Sequence, residues 1–142
     1  MNPRIPLPFD ARGRPDVLSR AECIRLLPTV PVGRLVFVHD GEPRAYPMNF
    51  TADGPRIWLR GDRVGAAADI APDAPVAFEV DSYDAWQRTG WSVLVTGRLR
   101  WLAEQPDGRL PMCTPWAPGR RSRVGRLDGS GISGRRISGP AR

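Results

Sequence analysis

Between Pro75 and Trp101 the chain reads PVAFEVDSYDAWQRTGWSVLVTGRLRW, and its large apolar residues fall mainly on every second position. Val76, Phe78 and Val80 alternate with Ala77, Glu79 and Asp81. After a polar connection, Trp91, Val93, Val95, Leu99 and Trp101 alternate with Ser92, Thr96, Arg98 and Arg100. A period of two belongs to strands that bury one face. The connection of about ten residues is too short for a parallel crossover, so the two runs are expected to pair antiparallel. They form the spine of an expected β-barrel.

The remaining chain supplies partners for this hairpin. Residues 1–18 are rich in Pro, Gly and Arg and read as a flexible N-terminal arm, residues 19–137 as the folded domain and 138–142 as a tail. Ser19 followed by Glu22 is a capping box, and Ile24, Leu26 and Leu27 give a short helix its apolar contacts before Pro28 stops it. Gly33–His39 is apolar on both faces, Asp40-Gly41 is a hairpin turn, and Pro43–Phe50 is the returning strand. Pro47 removes a ladder donor, which places that segment at an edge, a bulge or a break where backbone is left open to a ligand. After a second turn at Asp53-Gly54, Arg56–Arg60 is another strand. Gly61–Ala71 reads as a loop running into a short alanine-rich crossover helix, and Arg123–Leu127 with Ile132–Ile137 as a last strand and its extension. The count is five or six strands and two small helices, a small antiparallel barrel.

Composition excludes several chemistries. Every basic residue is arginine, and a chain of 142 residues without lysine has neither a Schiff-base lysine nor a Walker-A loop. The formal charge of +6 is concentrated near the end, where Arg120, Arg121, Arg123, Arg126, Arg135, Arg136 and Arg142 face only Asp128. An anion surface and a merely solvated tail both fit. The absence of interleaved aromatic residues disfavours nucleic acid. His39 is the sole histidine, so neither a metal cluster nor a Ser-His-Asp site can be assembled around it with recognisable spacing. Cys23 and Cys113 do not make a disulfide framework, and no run of 18 apolar residues occurs. A cytoplasmic, non-membrane protein is expected. A domain of this kind lacks its own acid, base and nucleophile, so any redox chemistry must come from a cofactor.

Six segments then carry a likeness: GRLVFVHDGEPRAYPMNF (Gly33–Phe50), the stretch from Arg60 onward, PVAFEVD, RTGWSVLVTGR, PWAPG and ISGRRI. In order and spacing they resemble the flavin-binding split barrels of the pyridoxamine 5'-phosphate oxidase-like superfamily, of the actinobacterial type and nearest the branch with the nitroimidazole-resistance proteins. The resemblance covers residues 19–137. It implies a mainly β fold, a six-stranded antiparallel Greek-key split barrel with one N-terminal helix and one short crossover helix. It further implies a homodimer holding FMN, or alternatively a deazaflavin, at its interface. The implied activity is that of an oxidoreductase passing hydride from a reduced nicotinamide or deazaflavin to a small organic acceptor. The implied cofactor-binding residues are Pro47, Met48, Asn49 and Phe50 along the ring, Arg60, Gly61, Arg63 and Ala66 about the phosphate, and Trp116 and Arg121 from the partner.

Departures fall at the same places. Gly65-Ala66 stands where such proteins usually carry a Ser/Thr-Lys pair, which removes one phosphate contact and leaves Arg63 as the nearby cation. Val124 and Gly125 stand where larger side chains are common, so the last strand is expected to be weak. These departures favour, as an alternative, a non-catalytic flavin- or ligand-binding dimer.

Overall fold

The computed structural model describes residues 16–61, 70–102 and 123–139. In chain order these form strand β1 (Asp16–Val17), helix α1 (Arg20–Leu26) with a single 3₁₀ turn (Leu27–Thr29), β2 (Val32–His39), β3 (Glu42–Asp53), β4 (Arg56–Gly61), β5 (Pro75–Asp84), β6 (Thr89–Trp101) and β7 (Arg123–Ile137). All strand pairs are antiparallel, in the order β1-β7-β4-β3-β2-β5-β6, and β6 pairs back onto β7.

This corrects the expected six-stranded Greek-key split barrel with two helices. The sheet has seven strands and closes as a ring through β6 and β7, with β1 attached to β7. Asp16–Val17 was not recognisable because two exposed residues carry no alternation; they are a strand only because Arg135 and Arg136 of β7 offer them a free edge. The described helical structure is α1 and its 3₁₀ turn. The crossover helix expected within Gly61–Ala71 falls on residues 62–69, outside the described residues.

Alternation determines what the ring encloses. Leu35, Phe37, Ile57, Leu59, Val76, Phe78, Val80, Val93, Val95, Leu99 and Leu127 all point inward and are buried. Complete burial of such a side chain contributes roughly 1.5–3 kcal/mol. The spine hairpin is paired from Pro75↔Arg98 to Asp84↔Thr89, so the two alternating runs meet face to face, as in Phe78↔Val95 and Val80↔Val93. At the turn between β2 and β3, Asp40 and Gly41 adopt φ of 50° and 75°, the handedness that suits a two-residue hairpin.

Helix α1 adds to this core. Its capping box forms in full: the Glu22 N–H donates to Ser19 Oγ at 3.2 Å, and Glu22 Oε2 accepts from the Ser19 N–H at 2.8 Å. Those backbone and hydroxyl donors hold the Glu22 carboxyl below its ordinary range. The cap directs Cys23 and Leu27 into the core, where both have no exposure. Close approach of α1 to β7 is possible because residue 134 is glycine. A methyl group there would lie 2.7 Å from Cys23 Sγ and 2.9 Å from the Ser92 carbonyl oxygen. Gly134→Ala is therefore expected to destabilise the protein by about 1–3 kcal/mol through overpacking, read as a lowered midpoint in urea unfolding; an unchanged midpoint would show that α1 is not held in this position.

Candidate functional site

The arrangement with most chemical potential is a seam between β3 and β4. These strands pair only from Asp53↔Arg56 to Phe50↔Leu59. Beyond that point β3 continues back to Glu42 along β2 alone, with Asn49 opposite Val32, Met48 opposite Gly33 and Pro47 opposite Arg34. The other edge of residues 42–49 has no strand partner among the described residues. Across the seam β4 runs on to Arg60 and Gly61, held from its far side by Arg60↔Val124 and Gly61↔Arg123. Pro47 lies on this edge strand, where its missing N–H interrupts least.

Of the side chains expected here, those among the described residues have these places. Pro47 is exposed and Met48 half-buried against the core. Asn49 donates from Nδ2 to the Pro31 carbonyl at 3.1 Å, tying the seam to the end of the 3₁₀ turn. Phe50 points the other way: it is 7% exposed and meets Phe78 edge-on, with ring centroids 5.0 Å apart. Its side chain belongs to the core, and its backbone marks where pairing with β4 begins. Arg60 is half-buried, and Gly61 is buried in the ring wall. Arg63, Ala66, Trp116 and Arg121 lie outside the described residues.

Arg60 and Trp58 share the outer face of β4, alternating with inward Ile57 and Leu59. Arg60 Nε and Trp58 Nε1 are both shielded from solvent and have no hydrogen-bond partner among the described residues. A shielded donor left unpaired costs about 1–3 kcal/mol, more where it carries charge. Neighbouring arginines are occupied: Arg126 Nε donates to Asp128 Oδ2 at 3.1 Å, and Arg56 Nε lies 3.1 Å from Asp128 Oδ1 as an ion pair without hydrogen-bond alignment. Arg100 Nε lies 3.5 Å from Asp73. Two N–H donors two residues apart on one strand face, one of them cationic, suit an anionic or acceptor-rich ligand. Trp58 escaped the reading of the sequence because RIWLR shows it only as one more apolar strand residue.

A second feature also escaped it. Arg34 on β2 bridges Glu79 (3.0 Å) and Asp81 (3.3 Å) on β5, in the row that includes Pro47. The two carboxylates keep the Arg34 guanidinium charged. Burial, followed by the hydrogen bond shared with Asp81 and the charge of Asp81, raises the Glu79 carboxyl, against the opposing pull of Arg34. Only cross-strand register reveals this cluster; the signal in sequence is no more than charge at outward positions.

The chain matches the family model for pyridoxamine 5'-phosphate oxidase over residues 19–136 and belongs to that flavin-binding family, as the six segments indicated. It is 33% identical over 132 residues to an uncharacterized protein of Mycobacterium tuberculosis, covering 88% of this chain and 87% of that one. Among solved structures it is similar to an FAD binding protein from Mycobacterium smegmatis, with 27% identity, a TM-score of 0.68 and coverage of 87% and 98% of the two chains. An FAD-binding protein from Mesorhizobium loti shares the fold at a TM-score of 0.71 and 24% identity, over 89% of this chain and 98% of that one.

Because Glu79 binds its proton more tightly when folded, its ionisation opposes folding. Stability from this group is full below the ordinary carboxylate pKa and declines as pH rises through the raised folded value. Glu79→Gln is thus expected to be more stable than the parent at pH 7, with the advantage shrinking toward pH 4. Denaturant titrations at the two pH values measure it, and an equal difference at both would exclude this origin.

Proposed function

We propose that this protein binds a flavin along the β3–β4 seam and acts as a flavin-dependent oxidoreductase. The observation that carries this reading is the pair of shielded donors, Arg60 Nε and Trp58 Nε1, beside a strand edge, all without partners among the described residues. The residues present suit the group. A flavin offers a phosphate for the arginine, and a planar heterocycle whose carbonyl and imino groups suit an open backbone edge at Pro47–Asn49. Gly61 follows Arg60 at the end of β4, and it stands with Arg63, Ala66, Trp116 and Arg121 among the further contacts expected of such proteins.

A bound flavin would supply reversible hydride acceptance, taking hydride from a reduced nicotinamide or deazaflavin and giving it to a small organic acceptor. The chain's own contribution is to hold and orient. Arg60 supplies charge, Trp58 an indole donor, and Asn49 ties β3 to the Pro31 carbonyl at the end of the 3₁₀ turn. FMN, or alternatively deazaflavin, is the form expected from the sequence; FAD binding by the Mycobacterium smegmatis relative adds FAD to the set to be compared.

We further propose a homodimer, with a cytoplasmic location. Val36, Ala45, Ala77 and Thr96 occupy one outward row across β3, β2, β5 and β6, and beside them Val38 is 66% and Leu94 38% exposed. An apolar sheet face of this kind supports burial against a second copy. No helix among the described residues is long and apolar enough to cross a membrane.

The test is direct. Purified protein is expected to carry, or to take up, a flavin with a shifted visible spectrum, and NADH, NADPH or reduced deazaflavin should bleach it. Arg60→Met should weaken flavin binding about ten- to a hundredfold, the equivalent of one charge-assisted hydrogen bond. The same substitution should leave the flavin-free protein equally stable or more so, because it removes an unpaired donor. A chromophore that no donor reduces would favour a carrier over an enzyme. A protein that binds none of FMN, FAD or deazaflavin would end the proposal.

A further inference from the structure

The β5–β6 hairpin shelters a cleft of about 530 Å³ that is lined by Asp81, Tyr83, Asp84, Arg88, Trp91 and Arg135, with Ile137 closing its far wall. Its volume falls within the range of sites that enclose small molecules, and its walls are chiefly apolar. None of the residues assigned to the flavin seam lines it.

We propose that this cleft is a second binding site, for a small planar aromatic molecule bearing a single carboxylate. Four observations lead there. The walls are aromatic and aliphatic: Tyr83 is 77% exposed although it lies within β5, and Trp91 and Ile137 are half-buried. Exposed tyrosine combines a flat apolar face with a polar tip, which suits a planar ring with a polar edge. The acids of the lining are already engaged within the protein. Asp81 pairs with Arg34 at 3.3 Å, and Asp84 Oδ1 accepts the Gln87 N–H at 2.9 Å. The cations are not engaged: neither the Arg88 nor the Arg135 side chain makes a hydrogen bond or ion pair among the described residues. A guanidinium group has the planar fork that receives a carboxylate through two parallel hydrogen bonds.

Backbone conformation at Arg88 supports the assignment. Its φ is 56°, in the left-handed region that glycine occupies without cost and that other residues adopt in only a few per cent of cases. The turn would form more readily with glycine, yet it carries an arginine facing the cleft. Strain retained at such a position points to a use for the side chain. Asp81 and Asp84 also restrict the ligand, since a second negative charge such as that of a phosphate dianion would meet two carboxylates. A monoanion would meet Arg88 and Arg135 with less repulsion from these acids.

Equilibrium dialysis of the full chain against 2-naphthoate, with 2-naphthalenemethanol as the uncharged counterpart, tests the proposal. Saturable binding of one naphthoate per chain is expected, with the alcohol roughly tenfold weaker or worse, the fold-change for loss of a charged hydrogen-bond pair. Arg135→Gln and Arg88→Gly should each weaken naphthoate roughly tenfold. Arg88→Gly should do so while the thermal midpoint holds or rises, because glycine relieves the left-handed turn, so misfolding cannot mimic the result. Arg60→Met should leave naphthoate binding unchanged. The proposal is overturned by failure to saturate at millimolar naphthoate, by equal affinity for the alcohol, or by unchanged binding in both the Arg135→Gln and Arg88→Gly variants. Loss in Arg60→Met would overturn it too, by placing naphthoate in the flavin seam.

Discussion

A strand has two edges, and β7 serves three neighbours with them. Its first half, from Arg123 to Asp128, lies between β4 and β6; its second half lies between β6 and β1. The exchange takes place at a bulge. Thr96 pairs with Gly131 and Gly97 with Gly129, leaving Ser130 unmatched, with its hydroxyl donating to the Thr96 carbonyl at 3.1 Å. An extra residue bends a strand and increases its twist, and here the bend carries β7 off β4 while it keeps hold of β6. The ring itself is closed by the β6–β7 pairing, which runs on both sides of the bulge. The seam lies at the other end of the β4–β7 pairing, where β4 stays anchored through Arg60↔Val124 and Gly61↔Arg123 after β3 has parted from it at Phe50↔Leu59. Arg60 and Trp58 are thereby held on a strand fixed from one side, beside an edge fixed from the other, and a ligand entering would find both in place.

Local pattern predicted the strands well wherever one face was buried, since a period of two and a turn dipeptide are short-range signals. The spine hairpin, the Asp40-Gly41 turn and the Ser19–Glu22 cap all formed where the residues indicated. What failed was the inventory and the closure, which depend on contacts between distant segments. β1 exists only because β7 leaves an edge beside it. The last strand, expected to be weak on account of Val124 and Gly125, is the longest in the fold. Small side chains there have a spatial reason: Cβ at residue 125 would come within 3.0 Å of the Trp101 ring, over which Arg123 stacks at 4.2 Å. Val124 is 3% exposed on the outer face, apart from the core cluster.

Recognition of the site divided along the same line. Resemblance to the family pointed to the strands that form the seam, and Arg60 and Asn49 are found on it. It could not separate backbone roles from side-chain roles, so Phe50, expected along the flavin ring, proves to pack its side chain against Phe78. Trp58 and the Arg34–Glu79–Asp81 cluster were illegible for a physical reason. An outward tryptophan looks like any strand residue until its N–H is found shielded, and charges 45 and 47 positions apart are neighbours only once β2 and β5 are in register.

The arginines decide what kind of charged protein this is. A formal charge of +6 suggests a surface for polyanions, but such binding needs a continuous stripe of uncommitted cations that releases many counterions together. On the described faces the basicity is divided. Arg56 and Arg126 are drawn to Asp128, Arg100 to Asp73, and Arg34 to two carboxylates. Arg60 is set apart at the seam, and Arg88 and Arg135 at the hairpin cleft, each beside an aromatic residue: Trp58 in the first place, Tyr83 in the second. A separated guanidinium group can still receive a discrete anion through its planar fork, whereas a polyanion needs many such groups in a continuous row. Among the described residues the basic charge is therefore broken up by acidic partners, and it does not form the continuous stripe that a polyanion requires.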